Sequence, residues 1–156
     1  MNVTEILTTI PERDAYQMNP VTLAFLGDAV LTLYIREKLA LIADYPSGDL
    51  QKYTAIEVSA HGQNIALAKV GPAFTDTEKD IFRRGRNSKK SAKAKNASVA
   101  EYNNSTGFEA VLGYLYISGQ YKRLDEVLHL ACGDMKQALG LDGPGGTGTD
   151  TAEDTE

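Results

Sequence analysis

Two apolar stretches of this chain each carry a lone acid in the same setting: Gly27-Asp28-Ala29-Val30-Leu31 and Phe108-Glu109-Ala110-Val111-Leu112. Both read as helix, and an acid inside an apolar helix is locally unfavourable, Asp more so than Glu. On a helix the neighbours of Asp28 are Ala24, Phe25, Leu31 and Thr32, and those of Glu109 are Ser105, Thr106, Leu112 and Gly113. None is a cation, so no local ion pair is available. A buried carboxylate without a partner costs several kcal/mol or takes up a proton. Each acid therefore needs a distant base, a partner carboxyl group or a metal ion. Gly27 and Ala29 on one segment, and Ala110 and Gly113 on the other, are small enough to let two helix backbones approach. Two facing carboxylates repel unless a cation lies between them. Mg²⁺, which takes hard oxygen ligands and keeps several waters, suits such a pair. For either acid alone, a structural ion pair with an arginine or lysine at the core edge, or exposure to solvent, would be the better reading. The repeated context favours the shared ion.

The rest of the pattern is helical too. Asn19 before Pro20 marks a helix start with proline in the first turn, and the helix runs to the low forties with Leu23, Leu26, Val30, Leu33 and Leu41 among its apolar residues. A second helix starts at Ser47, carries Leu50, Tyr53, Ile56, Ala60 and Leu67, and stops at Gly71-Pro72. Thr75 and Glu78 fit a capping box that opens a third helix to about Arg84. Residues 85–96 read as an exposed basic loop or a mobile helical turn, followed by a short helix near 97–102. Ser105 or Thr106 then caps an apolar helix ending near Gly119, and a last helix spans about Tyr121 to Leu139. No segment alternates with the period of two that marks a half-buried strand. The expectation is an all-α domain over residues 1–139 and a disordered acidic tail over 140–156, rich in Gly, Thr, Asp and Glu.

The net charge of −5 is unhelpful until it is mapped, because the five tail acids account for all of it. Between Asp80 and Glu101 lie seven bases and no acid: Arg83, Arg84, Arg86, Lys89, Lys90, Lys93 and Lys95. Local charge thus points to an anionic partner while the total does not. The single cysteine, Cys132, excludes an internal disulfide and a cysteine-rich metal site, and reads as a small buried apolar residue. His61 and His129 match no zinc spacing; the first reads as a surface or groove residue and the second as structural. Tyr34, Tyr114 and Tyr116 fit core or dimer packing better than base stacking. No apolar run reaches membrane-spanning length and no signal-peptide order is seen, so a cytoplasmic protein is expected.

With these residues in view, a family resemblance follows. Asn19-Pro20 with Leu23-Ala24-Phe25-Leu26-Gly27-Asp28-Ala29-Val30 resembles the first helix motif of ribonuclease III domains, in particular the small bacterial Mini-ribonuclease III form. Arg83-Arg84-Gly85-Arg86-Asn87, Lys95-Asn96 and the run from Thr106 to Tyr116 match further blocks in the same order. The resemblance spans about residues 18–130. It implies a ribonuclease III endonuclease-domain-like helical bundle and a homodimer with one active site per subunit along a shared RNA valley. It also implies Mg²⁺-dependent cleavage of double-stranded RNA to 5′-phosphate and 3′-hydroxyl ends, with Mn²⁺ as an alternative ion. The small form implies no appended double-stranded-RNA-binding domain, and a role in maturing the ends of the large-subunit (23S) ribosomal RNA precursor, with a large-subunit ribosomal protein as a candidate helper.

The longer enzymes of the family carry a further acid one turn before each catalytic acid. Here those places hold Ala24 and about Thr106, which leaves Asp28 and Glu109 as the catalytic residues and metal ligands. Arg83, Arg84, Arg86, Asn87, Lys89, Lys90, Lys93, Lys95 and Asn96 are the expected RNA contacts, since duplex RNA is read by shape, phosphates and 2′-hydroxyls. The competing readings are a non-catalytic RNA-binding or ribosome-assembly module with a degenerate nuclease fold, and an unrelated helical interaction protein whose acids form ion pairs.

Overall fold

The computed structural model describes residues 8–88 and 98–141, and every regular element among them is helical. The all-α expectation therefore holds. Chain order runs α1 (Glu12–Gln17), α2 (Pro20–Ile42), α3 (Ser47–Val58), α4 (Ala60–Val70), a 3-10 turn (Gly71–Ala73), α5 (Asp76–Arg86), α6 (Val99–Ile117), α7 (Tyr121–Cys132) and α8 (Met135–Ala138).

Helix α2 begins as expected: the Asn19 side chain accepts from Val21 N at 2.9 Å and Pro20 occupies the first turn. Its buried face is the row Leu23, Gly27, Leu31, Ile35 and Leu39, spaced by four residues. Leu33 and Leu41, also apolar residues of this helix, are 67% and 71% exposed. The helix is apolar nearly all round, so the pattern identifies a helix without fixing its inner face.

The single helix expected from Ser47 to Gly71 is two helices. Ser59 adopts an extended ψ of 156°, ends α3, and caps α4 by accepting from Gly62 N at 3.0 Å. The Thr75–Glu78 capping box is present and opens α5, which continues to Arg86. The caps expected at Ser105 or Thr106 are not used. Ser98 and Glu101 form a capping box that starts α6 at Val99, and the hydroxyls of Ser105 and Thr106 bond back to the carbonyl of Tyr102 inside the helix. Gly119, at φ 72°, ends α6 where the sequence suggested. The final helix is split at Gly133, where a Cβ would lie 2.3 Å from the His129 carbonyl oxygen. The fold also reaches past Leu139: Gly140 at φ 67° lets Leu141 N bond to Lys136 O, and Leu141 packs against the core. Residues 142–156 of the expected tail lie outside the described residues.

Helix α6 is the centre of the bundle. Every residue from Ser105 to Leu115 except Glu109 is buried, and α2 and α5 are its main partners. Gly107 meets Phe82 of α5, and Gly85 of α5 lies where a Cβ would touch Gly107 Cα at 2.9 Å. The other face meets α2.

Candidate active site at the α2–α6 crossing

The two glycines singled out in the sequence make the α2–α6 contact. A Cβ on Gly27 would stand 1.7 Å from the backbone oxygen of Glu109 and 2.9 Å from Gly113 N. A Cβ on Gly113 would stand 1.9 Å from Leu23 O and 3.1 Å from Gly27 N. The backbones therefore touch directly, as only glycine permits. Of the two alanines expected to help, Ala29 is exposed and Ala110 turns toward Gly85 of α5, so neither serves this crossing.

Asp28 follows the crossing residue Gly27, and Glu109 supplies the carbonyl that Gly27 meets. Both acids thus belong to one crossing, 81 positions apart in sequence. Their surroundings differ from expectation. Asp28 is exposed and Glu109 is half-buried, so neither is a fully buried charge. The polarity conflict read from the helix pattern is resolved by solvent on one side and by a hydrogen-bond donor on the other: Gln63 Nε2 of α4 donates to Glu109 Oε1 at 2.7 Å. Nothing in a single sequence marks Gln63, which reads as an ordinary helix-interior residue; its position depends on the break at Ser59.

The donor set suits a hard divalent ion. Two carboxylates border the crossing, and among the described residues no group of three or more His, Cys, Asp or Glu side chains could hold a metal. A two-carboxylate site leaves most of the coordination to water and substrate phosphate, which is the usual arrangement for Mg²⁺. A separate groove, lined by Lys52, Ile56, Glu57, His61, Ile65 and Lys69, includes neither Asp28 nor Glu109.

The basic segment divides into three. Arg84 is engaged by the fold: its Nη1 and Nη2 donate to the carbonyls of Tyr16 at 2.7 Å and Met18 at 3.0 Å, and its guanidinium lies over the Tyr16 ring. Arg83 pairs with Asp80 one turn earlier, and the Tyr16 hydroxyl donates to the same carboxylate. These bonds, the Tyr16 hydroxyl first and Arg83 next, hold Asp80 below the usual carboxylate range. Arg86 and Asn87 are exposed at the end of α5. Lys89, Lys90, Lys93, Lys95 and Asn96 lie outside the described residues.

The remaining candidates behave mostly as read. Cys132 is buried, and burial pushes its thiol up to about 12, far from a reactive thiolate. His61 is exposed, with Nδ1 2.7 Å from Glu101 Oε2. His129, read as structural, is exposed in the last turn of α7.

Comparison with known proteins matches the Ribonuclease III domain to residues 21–120. The chain belongs to the ribonuclease III family. It is 41% identical over 128 residues to the Mini-ribonuclease 3 of Thermoanaerobacter sp. (strain X514), covering 82% of this chain and 88% of that protein. It is 46% identical over 112 residues to the Mini-ribonuclease 3 of Symbiobacterium thermophilum, covering 72% and 86%. A solved structure of a Fusobacterium nucleatum protein superposes with a TM-score of 0.65 at 27% identity, covering 72% of this chain and 90% of that one. The fold expected from the resemblance is thus the fold observed, and the chain is an endoribonuclease of a family that acts on double-stranded RNA. Among the described residues no helix is long and apolar enough to cross a membrane.

Proposed function

We propose that this ribonuclease cleaves double-stranded RNA with a divalent ion, Mg²⁺ or Mn²⁺, held by Asp28 and Glu109, and that it acts in the cytoplasm on the paired ends of precursor 23S ribosomal RNA. The observation that carries the site is the backbone contact of Gly27 with Glu109, which brings an exposed acid and a half-buried acid to one helix crossing. A bound ion at that place would supply charge neutralisation at the scissile phosphate and would ease deprotonation of the attacking water. The two carboxylates hold and orient that centre. Their partial exposure leaves room for water and phosphate oxygens to complete the ligand set. Arg86 and Asn87, with Arg83 and the lysines that follow, are the groups available to take backbone phosphates. The ribosomal RNA assignment rests on likeness to the Mini-ribonuclease 3 relatives.

We further propose that two copies pair through α2. Phe25 is 82% exposed, with Val21 one turn before it at 42% and Leu33 two turns after it at 67%. A row of large apolar residues left in water beside the site is what a second subunit would cover. A sedimentation mass of one chain at micromolar concentration would remove this part of the proposal.

The decisive experiment compares the parent with Asp28→Asn on a long RNA duplex, on its separated strands and on the flanking stem of a 23S precursor, each with and without Mg²⁺. The expected result is ion-dependent cleavage of the duplexes only. Asp28→Asn should lose more than about a hundred-fold in rate, the upper range for partners one shell further from a metal, while still binding duplex. Undiminished cleavage by Asp28→Asn would overturn the site, and intact precursor ends would overturn the substrate.

A further inference from the structure

We infer that Gln63 is the positioning residue of the site: its side-chain amide, locked by the α3–α4 corner, holds the Glu109 carboxylate in the orientation that takes the ion. This rests on the reading of Asp28 and Glu109 given above.

The corner is built tightly. Ser59 Oγ accepts from Gly62 N at 3.0 Å and donates to Ile56 O at 2.8 Å. Gly62 is pressed against the end of α3, where a Cβ would lie 2.3 Å from Ile56 O and 2.7 Å from Glu57 O. The first turn of α4 has almost no freedom to move relative to α3. Gln63 follows directly and is 3% exposed.

The last carbonyls of a helix lack partners within it. Gln63 Nε2 donates to one of them, Val58 O, at 3.0 Å. It also donates to Glu109 Oε1 at 2.7 Å. Both partners are pure acceptors, since one is a carbonyl and the other a carboxylate. They settle which end of the amide is nitrogen, and both of its N–H groups are used. The amide oxygen is left buried without a hydrogen-bond donor among the described residues. A side chain serving only as a helix cap needs one N–H, and a buried carbonyl without a donor is unfavourable. The arrangement that results favours the bond to the acid over satisfaction of the amide itself. That bond is short and charge-assisted, the kind that fixes both direction and distance.

A carboxylate oxygen fixed by such a bond limits the orientations the group can take. Groups that hold a ligand in this way raise metal affinity by about ten- to a hundred-fold. The inference therefore predicts loss of ion affinity, with RNA binding unaffected.

The test measures Mn²⁺ binding to the full chain by electron paramagnetic resonance, beside duplex cleavage over a range of Mn²⁺ concentrations. Gln63→Met keeps the volume and removes both donors. It should weaken Mn²⁺ binding by about ten-fold or more. The KM for duplex should stay unchanged and turnover should return at high Mn²⁺, which general damage to the fold would not allow. Gln63→Asn, with the amide on a shorter stem, serves if the Met variant does not fold, and should fall between the two. Mn²⁺ binding within about two-fold of the parent in a folded variant overturns the inference. Asp28→Asn and Glu109→Gln separate the two failures. If they abolish Mn²⁺ binding and the Gln63 variants do not, only the positioning role falls; if they too leave it unchanged, the site reading falls with it.

Discussion

Replacing Gly27 by Ala adds one methyl group at the point where α2 and α6 touch. An alanine Cβ would sit 1.7 Å from Glu109 O, against 3.4 Å for the near edge of ordinary contact. The neighbour is backbone, so no rotamer change can relieve the clash, and the helices must separate locally by roughly 1.5 Å. The crossing packs Leu23 and Leu31 of α2 and Phe108, Leu112 and Leu115 of α6, all fully buried. A gap of about 1 Å forfeits up to about half of each dispersion contact, so the whole seam loosens. Overpacking usually costs about 1–3 kcal/mol, and a clash with backbone belongs in the tail near 4 kcal/mol. That is a large share of the about 5–15 kcal/mol by which domains are stable. Helix propensity runs the other way, favouring Ala over Gly by about 1 kcal/mol. Gly48 in α3 supplies the control, because nothing lies within 4 Å of a Cβ there. Urea unfolding followed by far-ultraviolet circular dichroism should show Gly27→Ala strongly destabilised and Gly48→Ala neutral or slightly more stable. If Gly27→Ala falls within about 1 kcal/mol of the parent, the direct backbone contact, and the meeting of the acids that depends on it, is wrong.

Two further predictions concern arginines. Glu78 is 2% exposed; burial alone would push its carboxyl up, but the Arg123 guanidinium and the Thr75 bonds outweigh it and hold the group below the ordinary 4.5. Its stabilising effect is therefore complete above pH 4.5 and is lost as pH falls further through the folded value. Arg123→Ala should cost about 3–5 kcal/mol at neutral pH and remove this contribution to acid unfolding, as read from urea midpoints across the acid range; an unchanged midpoint would refute the pairing. Arg84→Ala should lower the melting temperature by freeing α1, whereas Arg86→Ala should leave it unchanged and weaken duplex binding with a shallower salt dependence. Equal melting temperatures for the two variants would deny Arg84 its structural role.

What the sequence can and cannot reveal follows from the range of each interaction. Asn19, Thr75 with Glu78, and Gly119 act within one turn, and each is where local rules put it. The all-α class follows from periodicity alone. The inner face of α2 does not, because apolar residues surround it and only the contact with α6 decides that Leu31 goes in and Leu33 stays out. The break at Ser59 is hidden because a serine between two helical patterns is also tolerated inside one helix; the close packing of Gly62 on Ile56 and Glu57 decides the matter. Ser105 and Thr106 look like caps by type, yet Ser98 with Glu101 captures the helix start seven residues earlier. That the two acids share one helix crossing is legible because they repeat the same context beside small residues. Gln63 is not, since its importance lies in a partner 46 positions away. Arg84 escapes for the same reason: its carbonyl partners are 68 and 66 positions upstream, in and just after a short helix that the pattern does not disclose.

The proposed site separates two demands that the sequence sets against each other. A charged group inside an apolar helix suggests a costly burial that a distant base, a partner carboxyl group or a metal would have to offset. The structure meets the packing demand with Gly27 and Gly113, which carry no charge, and leaves Asp28 in solvent beside them. Only Glu109 is drawn inward, and there the Gln63 amide gives its carboxylate a partner before any ion arrives. On the proposed reading, the protein folds without metal, and the acids would bind and release an ion without disturbing the core. Stability should respond to the glycines and ion affinity to the acids and Gln63. A metal-free chain that unfolds near the temperature of the metal-bound one, yet cleaves nothing, is the behaviour this division requires.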